Sequence, residues 1–295
     1  MTSKKARPVQ EGDPDPRINL YRPGLAAEVL RGIYTSRHYA SGVTYQVIAP
    51  VAPSRAEGAP QARLGTEALF GETVTVYDVE NDWAWAQAAL DDYVGYIPTD
   101  ALSKTTGTKA PTHHVTVLSS FVFAEPDLKT LPLIALPMNA AVRVVSEKKG
   151  YGELATGGGI FLKHLAPVGE AEPDFVKTAR LYSGVPYLWG GRSGLGLDCS
   201  GLVQTVLLRA GIAAPRDSDM QLAQLGAEIN LDAYPHDLKR GDLVFFPSHV
   251  GIMDDDLHLL HANAITMNVA RQPLAEFVQI LESKLSAAIT GIRRL

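Results

Sequence analysis

One cysteine, Cys199, is all that the 295-residue chain contains, so no disulfide can form within it, and a single thiol agrees with a reducing compartment. Long apolar runs are missing too. No stretch approaches the ~18 consecutive apolar residues of a spanning helix, so no membrane partner is expected. The opening MTSKKARPVQEGDPDPRINLYRPG sets Pro8, Pro14 and Pro16 among charges, where an export signal carries continuous hydrophobics. A cytoplasmic protein is therefore expected. There is no long basic run and the formal net charge is −5, which argues against nucleic acid as a partner. A His-Glu-x-x-His motif is also absent. His249, Asp254, Asp255, Asp256, His258 and His261 crowd together, and histidine with carboxylate can bind zinc, but the three aspartates read as a solvated turn between strands. No metal and no cofactor is expected.

What is present is an ordinary globular composition, 46% hydrophobic and 20% charged, in a chain long enough for two or three domains. Residues 1–20 read as a loosely attached arm. Leu25–His38 has apolar residues at helical spacing and is expected to pack on a neighbouring domain, so 1–42 is an N-terminal arm and helix. From Val43 the texture turns to short alternating runs. ETVTVYDV, WAWAQA and YVGYI read as strands, with Asn81-Asp82 and Asp91-Asp92 supplying turns. AAVRVVSEKKGYGELATGGGIFLKHL repeats that texture once. Two small β-barrel modules are expected, at 43–105 and 112–168, joined by the linker SKTTGTKAPT. Both resemble bacterial SH3 domains, the first most clearly through NDWAWAQ and DDYVGYIP. One larger β-sandwich is the alternative.

After PVGEAEP the pattern becomes mixed. Asp174 is placed to cap a short helix bearing Phe175, Ala179 and Tyr182 on one face and ended by Gly184. SGLVQTVLLRAG is a second helix, with Leu202, Val203, Val206, Leu207 and Ala210 as its buried stripe. DLVFFP, HVGIM and LHLLHA read as strands. Residues 170–295 are thus an α+β domain.

The chemistry centres on YLWGGRSGLGLDCSGLV. Cys199 follows the capping residue Asp198 and stands in the first turn of a helix, where unpaired N–H groups and the helix dipole favour a thiolate. Taken alone, it reads equally as a buried structural thiol. His249 and His261 change that balance, because adjacent antiparallel strands set them side by side. A cysteine nucleophile needs an imidazole base and a third group to orient it. His249 suits the first role and His261 the second, whereas alternation sends His258 to the opposite face.

Tyr187-Leu188-Trp189-Gly190-Gly191, Asp198-Cys199-Ser200-Gly201-Leu202, Arg240-Gly241-Asp242-Leu243, His249-Val250-Gly251-Ile252 and Leu260-His261-Ala262 together resemble the NlpC-type papain-like cysteine peptidases, over essentially all of 170–295. The resemblance implies that Cys199, His249 and His261 are catalytic and that Tyr187 stands near the oxyanion site. Members carrying bacterial SH3 domains resemble γ-D-glutamyl-L-diamino acid endopeptidases acting on murein stem peptides with a free N-terminal L-alanine. On that likeness Asp217 and Ser218 bind the substrate, Asp198 and Ser200 meet it, and Trp189 walls the site. Tyr93 closes the pocket from the first SH3-like module, with Glu67 or Glu72 as its acidic companion. Asp217 and Ser218 also read as plain capping residues of the helix DSDMQLAQLG. The expected function is recycling of murein-derived peptides in the cytoplasm. The alternatives are an amidase or acyltransferase of the same fold, or a non-catalytic wall-binding protein.

Overall fold

The computed structural model describes residues 12, 14–105, 109–231, 234, 236–283 and 288–295. Its chain falls into two compact units, residues 1–109 and 110–295.

In the first unit, β1 (Tyr21–Arg22), β2 (Leu25–Ala27) and β3 (His38–Ala40) form a small sheet. The helix expected over Leu25–His38 is not formed. β2 pairs in parallel with β3, and only a single 3-10 turn, Glu28–Leu30, lies between. The spacing misled because Val29 and Ile33 face solvent while Ala26, Ala27 and Leu30 are buried, so no helical stripe exists to bury. Gly32, at φ +89°, breaks the run as well. The loosely attached arm needs correction over its described part. Leu20 is buried against Ala27 and Trp85, Arg17 accepts the N–H of Val94 at 2.7 Å, and the Arg22 guanidinium stacks 4.7 Å from the Trp85 ring centroid. Residues 1–11 and 13 lie outside the described residues.

The remainder of this unit is β4 (Val43–Val47), β5 (Val51–Arg55), β6 (Leu64–Leu69), β7 (Thr73–Glu80), β8 (Trp83–Ala88), β9 (Val94–Pro98) and β10 (Leu102–Lys104), hydrogen-bonded in the order β10-β4-β7-β8-β9-β5-β6. Asn81 and Asp82 both take positive φ, 50° and 66°, as a tight hairpin between β7 and β8 requires. Alternation puts Val74, Val76, Ala84 and Ala86 into one core. β10 and β6 stand at the two ends of this order.

The second unit begins with β11 (His113–Val115), β12 (Ser119–Phe123), β13 (Pro132–Pro137), β14 (Ala141–Val142), β15 (Val144–Lys148), β16 (Tyr151–Leu154), β17 (Gly159–Phe161) and β18 (Leu165–Pro167). They form two sheets, β14-β11-β18 and β13-β12-β17-β16-β15. Laid end to end, these repeat the order of the first unit, with β14 and β15 together standing where β7 stands. The irregularities coincide too. A register shift occurs at Ser54/Arg55 and at Val122/Phe123, and another at Val76/Asp78 and at Val144/Ser146. Among the described residues the two sets of strands form separate sheets, and they fall in separate compact units rather than in one. Ser103 and Lys104 of the expected linker belong to β10, and 106–108 lie outside the described residues.

The α+β region contains α1 (Phe175–Arg180), the hairpin β19 (Arg192–Ser193) and β20 (Gly196–Leu197), α2 (Cys199–Arg209) and α3 (Ser218–Gln224). Its main sheet comprises β21 (Ala227–Ile229), β22 (Leu243–Phe246), β23 (His249–Met253), β24 (His258–Asn263), β25 (Asn268–Pro273) and β26 (Gly291–Arg294), in the order β21-β26-β22-β23-β24-β25. Helix α4 (Leu274–Glu282) follows β25. Strand alternation divides the sheet residues between two cores. Leu243, Phe245, Val250, Ile252 and Leu260 join α1 and α2, whereas Val244, Phe246, Met253 and Leu259 join α4. Helix α2 carries more than the expected stripe, since Gln204 and Thr205 are buried as well. Met138 of the preceding segment shares its core, and Asn139 Nδ2 donates to the Thr205 carbonyl at 2.9 Å. The aspartate turn is also corrected. Asp254 is buried and paired with Arg180 and Arg271, which makes it a structural anchor between α1 and β25.

Candidate active site

Cys199 is the first residue of α2, and the Asp198 carboxylate caps the helix by accepting the Gly201 N–H at 2.7 Å. The thiol is buried, and the N–H groups of Ser200 and Val250 both point at the sulfur. Val250 is the residue after His249, so the start of β23 meets the start of α2 at the thiol. Ile252 pairs with Leu260 and Met253 with Leu259. Continuing that register sets His249 opposite Asn263, with His261 diagonal to it on the same face. His249 Nε2 and His261 Nδ1 are 2.8 Å apart, and Phe246 and Phe277 pack against the His249 ring.

Two contacts at 3.3 Å reach the far nitrogen of His261, from Gln272 Oε1 and from Asn263 Nδ2. They favour opposite tautomers. When His261 Nε2–H donates to Gln272, His261 Nδ1 accepts the Nε2–H of His249, which leaves a lone pair on His249 Nδ1. That is the form a base requires. His258 stands apart, hydrogen-bonded to Asp255 at 3.0 Å.

Burial governs the protonation states. It pushes the Cys199 thiol up to about 11, with Asp198 adding to the rise, while the N–H groups of Val250 and Ser200 and the Arg216 guanidinium act the other way. Burial holds His249 down to about 3, reinforced by His261, and His261 down to about 4. The lowering expected from the helix N-terminus is therefore outweighed, and both the thiol and the two imidazoles are held neutral. Tyr187 is raised to about 12 by burial and then by Cys199 and Asp198, so its hydroxyl stays a donor. Its backbone is fixed by an N–H to the Met267 carbonyl at 2.9 Å. Trp189 follows two residues later and is 54% exposed.

Asp198 does more than cap. Its carboxylate accepts the Gly190 N–H at 2.8 Å and a forked pair from Arg216 at 2.9 and 2.7 Å. Ser200 Oγ accepts from the same guanidinium at 2.9 Å. Asp198 and Ser200, both expected to meet the substrate, are thus joined by Arg216 in one internal network. Asp217 occupies the N-cap position of α3, but its side chain makes no capping bond, and both Asp217 and Ser218 are partly exposed. Tyr93 belongs to the first unit, where its ring lies against Gly65 of β6. Glu67 is two residues along that strand, past the register shift, and is buried. Glu72 instead accepts the Leu69 N–H at 3.0 Å, as a turn residue does. Among the described residues, no group of three or more histidine, cysteine, aspartate or glutamate side chains is placed to hold a metal ion.

Arg216, Gln272 and Asn263 escaped the sequence reading. Arg216 directly precedes Asp217 in APRDSDMQ, and a buried arginine beside a capping aspartate leaves no spacing signal. Gln272 and Asn263 are identified only by strand register.

Such an arrangement can carry out nucleophilic acyl transfer by a thiol assisted by a general base. Residues 184–281 match the NlpC/P60 family, and residues 55–102 match the bacterial dipeptidyl-peptidase SH3 domain. Dipeptidyl-peptidase 6 of Lysinibacillus sphaericus is 29% identical, over 84% of this chain and 98% of that protein. The gamma-D-glutamyl-L-lysine dipeptidyl-peptidase of Bacillus subtilis (strain 168) is 30% identical, over 75% of this chain and 79% of that one. An NlpC/P60 family protein from Bacillus cereus superposes with a TM-score of 0.72 at 22% identity, covering 85% of this chain and 99% of its own, and so shares the fold. The chain therefore belongs to the NlpC/P60 family, as a cysteine peptidase carrying a bacterial SH3 domain.

Proposed function

We propose that the protein hydrolyses the γ-D-glutamyl–L-diamino acid bond of murein stem peptides with a free N-terminal L-alanine, in the recycling of cell-wall peptides in the cytoplasm. The observation that carries the reading is the meeting of α2 and β23, which puts the Cys199 sulfur against Val250 and next in sequence to the His249–His261 pair. Cys199 is the nucleophile. As its sulfur bonds to the γ-carbonyl carbon, His249 takes the thiol proton and later returns it to the departing amine. A water then attacks the thioester, again with His249 as base, releasing the γ-carboxylate and the thiol. Tyr187, kept protonated, donates to the developing oxyanion.

Two further features support the substrate. The B. subtilis relative is named a gamma-D-glutamyl-L-lysine dipeptidyl-peptidase. Asp217 and Ser218 open α3 and are partly exposed. An ammonium losing water needs a carboxylate and hydrogen-bond acceptors in return, so Asp217 receives the alanine amine and Ser218 assists, with Trp189 as a wall. The segment 112–168 is proposed as a second SH3-type module, on its repeat of strand order and of both register shifts.

Digestion of L-Ala-γ-D-Glu–diamino acid peptides and their N-acetylated forms, read by mass spectrometry, tests the reading. Free-amine peptides should release L-Ala-γ-D-Glu. Acetylation should lower kcat/KM by ~10–10²-fold, the order expected for losing a charge-assisted hydrogen bond. Equal rates on both forms would point to cutting of intact murein, and scission at a different amide would favour the amidase reading. Cys199→Ala should be inactive, and cell fractionation should place the protein in the cytoplasm.

A further inference from the structure

Arg216 is 1% exposed, on the loop between α2 and α3, and its guanidinium touches three residues on two pieces of chain. It grips both oxygens of Asp198, on the turn that carries Cys199, at 2.9 and 2.7 Å. It reaches Ser200 Oγ at 2.9 Å on the other side of the nucleophile. Its Nη2 also lies 3.4 Å from the carbonyl of Gly191, in the loop that holds Tyr187 and Trp189. Asp198 closes the circuit by accepting N–H groups from Gly190 and Gly201. Gln221 ties the same pieces from α3, donating to the Ser200 carbonyl at 3.0 Å and the Pro215 carbonyl at 2.9 Å.

Such a buried pair is costly to assemble from two charges, and hydrophobic replacements often serve stability as well. Its use here is geometric, because only a planar fork can hold a carboxylate in two places and still reach two further acceptors. We infer that Arg216 is a positioning residue for catalysis, acting through Asp198 to hold the Cys199 turn, the Tyr187–Gly191 loop and the Asp217–Ser218 loop in one register. The inference rests on Cys199 being the nucleophile. It also gives the Arg-Asp-Ser run a division of labour, with Arg216 turned inward and Asp217 and Ser218 on the partly exposed side.

The network also sets the charge at the thiol. The groups that face Cys199 are Asp198 on its own turn, Arg216 ahead of α3, Tyr187 on the preceding loop, and the β23 start bearing neutral His249. Removing the guanidinium leaves the Asp198 carboxylate unopposed beside the sulfur, which disfavours thiolate.

The test compares wild type with Arg216→Gln, Arg216→Lys and the double variant Asp198→Asn/Arg216→Gln. The readouts are kcat and KM on a free-amine stem peptide, the pH profile of Cys199 alkylation by iodoacetamide followed by peptide mass, and thermal unfolding. Arg216→Gln should lower kcat by ~10²-fold, the order expected for a small misplacement of reacting groups, with a lesser change in KM and with alkylation moved to higher pH. Arg216→Lys should recover part of kcat. The double variant should return the alkylation profile toward wild type without restoring kcat. A folded Arg216→Gln with wild-type kcat and an unmoved profile overturns the inference, as does a loss that only follows the unfolded fraction. If Arg216→Gln does not fold, the lysine variant decides, and wild-type kcat there refutes the need for a fork. Activity surviving complete alkylation of Cys199 would refute the nucleophile assignment instead, a result separable from all of these.

Discussion

At the residue scale, with His249 proposed as the base, the His249–His261–Gln272 chain should set the enzyme's response to pH. A base works only when unprotonated, so activity is present above its pKa and lost as pH falls through it. With His249 near 3 and His261 near 4, against an ordinary 6.5, the acid limb of kcat/KM should lie well below pH 6. A limb centred near 6.5 would show that the imidazoles are not desolvated as the structure has them. Gln272→Glu puts a carboxylate beside His261 Nε2 and favours its protonated form, so the acid limb should move up. His249→Ala should cost ~10²–10⁴-fold in kcat, the usual range for general-base assistance, and His261→Ala should cost less. Stability follows the same shifts. Folded pKa values below the unfolded 6.5 mean that the unfolded chain binds these protons first. The contribution of both imidazoles is complete above pH 6.5 and lost as pH falls toward 4 and 3. Urea midpoints should therefore decline across that window and change less in His249→Ala/His261→Ala.

At the scale of elements, α2 links catalysis to packing, because the helix that presents the sulfur is buried nearly all round. Leu207, at 0% exposure, should cost ~2–5 kcal/mol when cut to alanine, as buried leucines do. Asn139→Ala should destabilise the same unit by ~1 kcal/mol or more, since it removes a buried hydrogen bond to α2 and puts alanine at a φ of 68°. Equilibrium urea unfolding measures both. A neutral Asn139→Ala would show that the Thr205 carbonyl finds another partner. The short strands and their turns were readable because alternation and positive-φ turn residues are local signals. The N-terminal helix was misread because the spacing of Leu25, Val29 and Ile33 imitates a stripe that tertiary packing never buries.

At the scale of the whole molecule, the second β-segment shares the core around α2 through Met138, with Leu118 packed against it. A fragment of residues 110–295 should therefore unfold in one cooperative transition. A fragment of 170–295, lacking Met138 and Asn139, should be far less stable or unfolded. Circular dichroism melts of the two fragments check this. Equal melting temperatures would mean that the catalytic core closes without its neighbour.

The sequence alone determined that this is a cysteine peptidase of the NlpC/P60 family with a bacterial SH3 domain. It also placed Cys199 at a capped helix start, and His249 and His261 on neighbouring strands. Those features are local or motif-borne, carried by capping chemistry, strand alternation and the combined runs around Tyr187, Cys199, Arg240, His249 and His261. Tertiary structure decided what distance in sequence conceals. It set Arg216 on Asp198 and Gln272 on His261, placed Asp254 between Arg180 and Arg271, and buried His249 and His261 deeply enough to keep both neutral. Ion pairs and desolvation depend on which surfaces meet, and a buried charge is stable only where the fold brings its partner.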